Sequence, residues 1–385
     1  MRRKGINIKS LSNMDIKDLK KNFLKKFNKA TKNIQIKKIE KKRKVIAFDI
    51  GSSMTKIVEG TYYKENLTID KYIKLPTPKE AIVDGEIKKL DELALKIGEI
   101  LKEYKIKATD GICTNNSTLI INREFTIPKV EEDEIETVVR YEIQQYLPIN
   151  LDDYILQVKV LNEEYTDTEI RLKVRAISYP DKIAKGYYNF LSKLDLKPYV
   201  LDVNHNSVKK FIKYTDVDNR YENNYGDSIA FIDMGASFID VNIYRYGNLD
   251  FTRMIKAGGN DINEFFYETN SMEFEEVEKL KMERIDLLNK EDSINILARQ
   301  VVDEWIEKIE KIIQFYKNKS MQNNVDKIFI FGGCSKLKGF EKYMSEKIGI
   351  NTRRIKGISK MTFNSTDDGE PVDEFINAIG SIIRL

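Results

Sequence analysis

The chain has 385 residues, among them 65 Lys or Arg, 61 Asp or Glu, and two cysteines, Cys113 and Cys334. Its length favours two or more domains, because one domain usually takes about 100 to 200 residues. Two cysteines cannot build a disulfide framework, and we expect both to act as small apolar side chains. No apolar stretch approaches the ~20 residues that span a bilayer, and no secretory signal is visible, so we expect a soluble intracellular protein.

The basic side chains are concentrated at the N-terminus. Residues 1–44 contain 17 Lys or Arg and three acids, whereas the rest of the chain carries 48 basic and 58 acidic side chains. One set of apolar residues in this arm recurs at steps of three and four, which places it on one helix face. The set is Ile16, Leu19, Phe23, Phe27, Ala30 and Ile34. A basic amphipathic helix is typical of segments that lie on anionic membranes, where each Lys contributes about 1 kcal/mol.

We therefore predict that residues 1–44 make a peripheral contact with the inner face of the cell membrane or with a partner. A solvated tail and a wrongly assigned start codon are the alternatives. Specific nucleic-acid binding is disfavoured, because the arm has two aromatic residues and no stacking platform.

The first domain is predicted to begin with VIAFDIGSSMTKIVEG, residues 45–60, which has the pattern of a buried strand, a tight turn and a return strand. Gly51 tolerates the positive φ that such a turn requires, and the outward N–H groups of the turn bind phosphate oxygens. Three hydroxyls and one ammonium group are predicted to reach the β- and γ-phosphates. They belong to Ser52, Ser53, Thr55 and Lys56.

The middle of the chain is predicted to alternate between helices and strands. A helix at 91–104 and a strand at 110–113 complete the first part of domain 1, residues 45–121. An inserted subdomain, residues 122–198, follows the pattern strand, helix, strand pair, strand and helix, with the last helix at 181–194. Residues 199–227 return to domain 1 and end in a polar linker from 216 to 227.

A second copy of the turn motif opens domain 2, which we place at 228–360. In SIAFIDMGASFIDVNIYRYG, residues 228–247, three residues stand in register with Asp49, Gly51 and Ser53. They are Asp233, Gly235 and Ser237. Gly235, Ala236 and Ser237 would supply backbone N–H groups to phosphate. Two such copies predict two phosphate hairpins that face each other.

Two facing carboxylates, Asp49 and Asp233, would repel each other unless a cation lay between them. Mg²⁺ keeps several waters and prefers carboxylate and phosphate oxygens, so we predict that both acids hold its water shell. The alternative for either residue alone is that it caps a turn.

A third glycine-containing segment, KIFIFGGCSKLKGFEKYM at 327–344, is predicted to be a strand, a loop and a helix. Glycines at such a junction let a flat ligand approach the backbone, and the helix N-terminus favours anions. Because it follows two predicted phosphate hairpins in the sequence, we predict that this segment forms the loop on the adenosine side of an ATP site. Its candidate residues are Gly332, Gly333, Cys334 and Lys336.

The order of these motifs resembles the actin, Hsp70 and sugar-kinase superfamily. NREFTIPKVEEDEIETVVRYEIQQYLPINLDDYILQVKVL, residues 122–161, is similar to the start of the extra subdomain of the PilM family of type IV pilus assembly proteins, which is related to FtsA. FTRMIKAGGNDIN and FINAIGSIIRL resemble that family as well. The resemblance covers roughly residues 44–385 and implies an α/β, actin-like fold. This fold has two ribonuclease H-like duplicated domains, an inserted subdomain, and a C-terminal helix within 361–385 that crosses back to domain 1.

The resemblance also implies further ATP contacts. Gly258, Gly259 and Asn260 would lie beside the phosphates. FEEVEKLKMER resembles the Ala-Glu-x-x-Lys helix that contacts ribose and base, which makes Glu278 and Lys281 candidates. An ordinary solvated ion pair is the alternative. Phe238 and Ile239 stand where threonines are frequent, so the second hairpin would hold phosphate more loosely.

The catalytic residue is not evident. LDVNHNSVKKF, at the predicted interdomain crossing, has no Gln or Glu to orient water, and a lone histidine such as His205 is more often structural. We expect slow ATP turnover or none, with ATP acting as a conformational ligand.

The function implied by the resemblance is that of a cytoplasmic scaffold at the inner face of the membrane. It would bind the cytoplasmic N-terminal tail of PilN and couple it to pilus motor components. The tail would lie in a groove near Arg123, Tyr146 and Ile149. Whether the protein forms a homo-oligomer is left open by the sequence. Two alternatives remain: an FtsA-like division filament protein, which normally carries its membrane helix at the other end, and a small-molecule kinase, which needs a further carboxylate base.

Overall fold

The computed structural model describes residues 42–166, 169–215, 228–355, 361–364 and 372–384. The predicted arm, apart from its last three residues, and the predicted linker at 216–227 lie outside the described residues.

The first large sheet has six strands around the first glycine hairpin. In order across the sheet they are β10 (Lys197–Val203), β6 (Asp110–Asn115), β1 (Lys44–Ile50), β2 (Met54–Tyr63), β3 (Asn66–Pro76) and β16 (Met361–Phe363). β1 pairs antiparallel with β2 and parallel with β6. The short strands β4 (Ile82–Val83) and β5 (Glu86–Ile87) form a separate antiparallel pair after β3. All of β1 beyond Lys44 is buried, which is typical of a strand covered on both faces.

The second large sheet repeats this arrangement. Its five strands, in order, are β13 (Asn248–Ile255), β12 (Ile239–Arg245), β11 (Ser228–Met234), β14 (Lys327–Phe331) and β15 (Thr352–Arg354). Here β11 pairs antiparallel with β12 and parallel with β14, as β1 does with β2 and β6. The two sheets are therefore duplicates in topology, as the repeated motif predicted.

Nine α-helices lie in the part of the chain that the structure describes. They are α1 (Leu90–Glu103), α2 (Ile135–Tyr146), α3 (Asp181–Lys193), α4 (Asn204–Tyr214), α5 (Gly259–Asn270), α6 (Phe274–Glu283), α7 (Ser293–Lys319), α8 (Phe340–Ile348) and α9 (Ile376–Ile382). The longest, α7, begins where the Asp292 side chain accepts a hydrogen bond from the Ile294 N–H. Its buried stripe includes Trp305, which lies in the core of the second sheet.

A shared core joins the two sheets. Phe211 of α4, Ile379 of α9, and Phe231 and Phe329 of the second sheet belong to one apolar cluster with residues of β1 and β2. The C-terminal helix α9 contacts α4, β1, β2 and β6, so it returns to the first sheet. This packing brings the start of α9 beside the strands that lead into both glycine hairpins.

The inserted unit is a separate three-stranded sheet with its own small core. The strands, in order, are β7 (Ile121–Pro128), β9 (Ile170–Pro180) and β8 (Tyr154–Tyr165), with α2 packed on one face. The predicted range for this unit, residues 122–198, is too long. The buried side chains of α3, among them Tyr187 and Phe190, lie in the core of the first sheet, so the inserted sheet ends at Pro180. Two strands, not three, follow α2.

No helix in the described ranges is long and apolar enough to cross a bilayer.

Candidate functional site

The tips of the two glycine hairpins touch. Ser52 Oγ lies 2.7 Å from Ser237 Oγ, across 185 positions of the sequence. The two turns have the same internal hydrogen bond, because Gly51 N–H donates to Met54 O at 3.1 Å and Gly235 N–H donates to the equivalent carbonyl of Phe238 at 3.0 Å. The two predicted phosphate hairpins therefore face each other.

Each turn is supported from behind by a different segment. Thr77 supports the first turn, since its hydroxyl donates to Gly51 O at 2.8 Å and its N–H donates to Ser53 O at 2.9 Å. The start of α5 supports the second turn, where Gly259 N–H donates to Gly235 O at 3.1 Å and Asn260 N–H donates to Ala236 O at 2.8 Å.

The close approach between α5 and the second turn explains the glycine at 258. A Cβ added to Gly258 would lie 2.5 Å from Gly235 O, so no other residue fits there without moving the turn. The Asn260 side chain also donates to Ser237 Oγ at 3.0 Å. The structure thus brings the predicted residues 258–260 to the second hairpin, where the N–H groups of Gly259 and Asn260 donate to carbonyl oxygens of the turn.

Thr55 corrects the predicted set of phosphate contacts. Its side chain is fully buried, and its hydroxyl hydrogen bonds with Thr77 Oγ1 at 2.8 Å. Since residues alternate between the two faces of a strand, Thr55 points away from the face that carries Lys56. Its hydroxyl supports the turn and does not join Ser52, Ser53 and Lys56.

The two predicted metal-binding residues, Asp49 and Asp233, both contact the side-chain amide of Asn377. Asn377 Nδ2 of α9 lies 2.8 Å from Asp233 Oδ2 and 3.4 Å from Asp49 Oδ2. The buried Asn377 Oδ1 has no hydrogen-bond partner among the described residues. Asp49 and Asp233 therefore end their strands side by side, under the turns.

Lys56 supplies the positive charge of this group, with Nζ 3.7 Å from Asp49 Oδ2. Burial lowers the pKa of Lys56, but the charges of Asp49, Asp233 and Glu374 outweigh burial, and the pKa is raised above its ordinary value. Burial raises the pKa of Asp233 to about 6; Lys56 opposes this shift and Asp49 adds to it. One ammonium group does not satisfy two buried carboxylates here.

Hydrated Mg²⁺ fits this arrangement better than a directly caged metal. Among the described residues, no three or more His, Cys, Asp or Glu side chains are grouped so as to hold a metal ion together. Mg²⁺ characteristically takes one or two carboxylates and completes its shell with water and phosphate oxygens. Asp49 and Asp233 would hold such an ion, which would supply positive charge to the phosphates.

The third predicted loop lies directly against Asp233. Gly332 has φ of +84°, and a Cβ there would lie 2.3 Å from Asp233 Oδ1. At Gly333, by contrast, a Cβ would meet no atom within 4 Å, which leaves open space beside the backbone. Cys334 Sγ donates to Gly235 O at 3.2 Å, so this loop touches the second hairpin. Burial raises the pKa of the Cys334 thiol to about 11, which keeps it protonated.

Glu278 and Lys281, the pair predicted on the ribose side, lie next to the start of α5. Lys281 Nζ donates to Gly259 O at 3.2 Å and is ion-paired with Glu278, which accepts from Asn263 Nδ2 at 2.7 Å. Lys336 instead pairs with Glu374, which also bonds Lys74 at 2.9 Å. The Lys336 ammonium group is therefore already ion-paired with a carboxylate.

The start of α4 has structural contacts. His205 Nε2 lies 3.0 Å from Asn122 Nδ2, and burial lowers the pKa of His205 to about 4. Asp202 is bonded to Lys210 at 2.6 Å and to Asn206 Nδ2 at 2.7 Å. Neither residue is free to act on a ligand, in agreement with the expectation that His205 is structural.

Sequence reasoning missed three residues of this site: Asn377, Glu374 and Asp240. Burial raises the pKa of Asp240 to about 7; the charge of Asp233 adds to the shift, and a hydrogen bond with Asn116 opposes it. A sequence signal existed for Asp240, because it follows Asp233 by seven positions, as Lys56 follows Asp49.

Two sheets of duplicated topology, two facing glycine turns and a C-terminal helix that reaches both turn carboxylates define an actin-like fold. The family model for "Type IV pilus assembly protein PilM" matches residues 47–377. The chain belongs to the PilM family.

Solved structures agree with this fold. The structure described as "PilM-PilN type IV pilus biogenesis complex" matches with a TM-score of 0.75 and 20% identity, over 88% of this chain and 99% of that one. Ethanolamine utilization protein EutJ from Carboxydothermus hydrogenoformans matches with a TM-score of 0.53 and 10% identity, over 90% and 93% of the two chains.

Proposed function

We propose that this protein binds ATP with Mg²⁺ between its two glycine hairpins and acts in type IV pilus assembly as a nucleotide-dependent scaffold. The observation that carries the proposal is the convergence of Asp49 and Asp233 on Asn377, beneath turns that touch at Ser52 and Ser237. Turn N–H groups would bind phosphate beside the start of α5, and the two acids would hold hydrated Mg²⁺.

ATP would act mainly by binding and stabilising one conformation, and less as a source of energy through hydrolysis. The polar side chains at the start of α4 are engaged in internal hydrogen bonds, so they do not supply a water-orienting group. Turnover is therefore slow or absent. A nucleotide that contacts both sheets stabilises their closed arrangement by its differential affinity for that state.

The partner that we propose is the cytoplasmic N-terminal tail of PilN, with coupling to motor components at the inner face of the membrane. Family membership and the likeness to a PilM–PilN complex support this assignment. The inserted sheet and the adjoining first-sheet surface would form the binding groove. Tyr146, which is 63% exposed at the end of α2, is a candidate contact.

Calorimetry tests the nucleotide, and fluorescence polarisation with a labelled PilN tail peptide tests the partner. We expect the protein to bind ATP with Mg²⁺ and to bind the peptide more tightly in that state. A scrambled peptide of the same composition is the control. Equal binding of both peptides would reject PilN as the partner, and no heat with ATP would reject the nucleotide.

A further inference from the structure

The two hairpins have the same backbone register but opposite charge at one position. In the first hairpin, Asp49 stands opposite Lys56. In the second, Asp233 stands opposite Asp240. Residues directly opposite each other on antiparallel strands point to the same face of the sheet. Asp240 therefore occupies the place in the second hairpin that a lysine occupies in the first.

Asp240 is buried and incompletely partnered. It is 7% exposed, and its Oδ1 has no hydrogen-bond partner among the described residues. The charges that act on it are those of Asp233 and Asp49, both of the same sign, and its hydrogen-bond partner is the neutral side chain of Asn116, directly after β6. Burying a carboxylate without a cation is costly, so such a residue points to a missing positive ligand.

The charges around the hairpins do not balance without that ligand. Asp49, Asp233 and Asp240 face one ammonium group, that of Lys56. Glu374 pairs with two lysines, Lys74 and Lys336, so these four carboxylates and three ammonium groups sum to a net charge of −1 when all are ionised. The space between the turns is therefore negative, and it would repel a polyphosphate that arrived without a metal ion.

We propose that Asp240 makes nucleotide binding conditional on a divalent cation, by acting as a third carboxylate that repels the metal-free nucleotide. This inference rests on the proposed function, because it concerns the same site. The first hairpin, with Lys56, then faces phosphate, and the second, with Asp240, faces the cation. Asp240 is a specificity-determining residue in this account, and the metal is held by Asp49 and Asp233.

Calorimetric titration of ATP into wild type and Asp240→Asn at pH 8, with Mg²⁺ or with EDTA, tests the proposal. Asp153→Asn, which removes an exposed carboxylate of the inserted unit, is the control for net charge. We expect Mg²⁺ to improve the affinity of wild type and of the control at least about 100-fold. In Asp240→Asn this ratio falls about tenfold or more, because the affinity in EDTA improves.

The outcomes separate this inference from the proposed function. If wild type binds Mg–ATP and Asp240→Asn keeps the full Mg²⁺ ratio, Asp240 has no such role. If wild type binds ATP in neither buffer, both proposals are rejected. A second measurement needs no variant: in EDTA, added KCl should strengthen ATP binding by wild type, because salt screens repulsion. Weakening by KCl would show a net attractive site and overturn the inference.

Discussion

Ser52 Oγ and Ser237 Oγ are 2.7 Å apart, one at the tip of each glycine hairpin. Each residue lies within the tight turn that follows a buried strand, and each turn is held by a separate support, Thr77 or the start of α5. The contact therefore joins two independently built turns, and anything that widens the gap between the sheets breaks it. A ligand held by both turns would be sensitive to that gap, which is what a nucleotide-dependent scaffold requires.

Gly332→Ala should destabilise the protein and weaken nucleotide binding together. The positive φ costs about 1–2 kcal/mol for alanine, and the new Cβ would overlap Asp233 Oδ1, so we expect a loss of at least about 2 kcal/mol in urea unfolding. Gly333→Ala is the matched control, because its Cβ meets no atom within 4 Å. Equal stability of the two variants would contradict the placement of the loop against Asp233.

Gly380→Ala should separate α9 from α4. A Cβ at Gly380 would lie 2.1 Å from Ser207 O, which is backbone and cannot turn away. Overpacking of this kind costs about 1–3 kcal/mol. Gly186→Ala, in the interior of α3, meets no atom within 4 Å and should stabilise the protein by about 1 kcal/mol. Urea denaturation of both variants measures the difference, and a neutral Gly380→Ala would refute this helix crossing.

His205 should make the folded state sensitive to acid. Its pKa is about 4 in the folded protein and about 6.5 when unfolded, so the unfolded state binds more protons between these values. Stability from this group is intact above pH 6.5 and is lost as the pH falls towards 4, by about 3 kcal/mol in all. Unfolding free energies of wild type and His205→Asn should therefore differ increasingly in favour of the variant as the pH falls. A difference that is constant from pH 7 to 4 would mean that His205 is not buried in the neutral form.

Arg175 should transmit the nucleotide state to the inserted sheet. Its guanidinium donates to Leu249 O of β13 at 2.6 Å and pairs with Glu124, so it ties the inserted unit to the second sheet. We expect Mg–ATP to change the affinity of wild type for the PilN peptide at least about fivefold. Arg175→Ala should reduce this factor towards one, while Arg171→Ala, an exposed arginine on the same strand, should retain it. If Arg175→Ala kept the full effect of Mg–ATP on peptide affinity, Arg175 would not transmit the nucleotide state.

Much of the fold was predictable from local patterns. The apolar strands and the Asp-x-Gly-x-Ser turns predicted both hairpins, because tight turns leave a strong signature in composition and spacing. The Gly332-Gly333 loop was predicted for the same reason. These features depend on neighbours in the sequence, which a single chain reveals.

What escaped prediction depends on contacts between distant segments. The end of the inserted unit was wrong because amphipathic α3 could pack on either core, and its sequence does not say which one. Asn377 and Glu374 become part of the site only through the return of α9 to the first sheet. Thr55 was misassigned because the hydroxyl partner, Thr77, comes from another segment.

Nucleotide binding by wild type and Asp233→Ala, titrated with ATP in the presence of Mg²⁺ and again in EDTA, tests the central claim most directly. The account predicts that wild type binds Mg–ATP and that Asp233→Ala loses at least about tenfold in affinity with Mg²⁺. The absence of ATP binding by wild type, or full Mg²⁺-dependent affinity in Asp233→Ala, would contradict it.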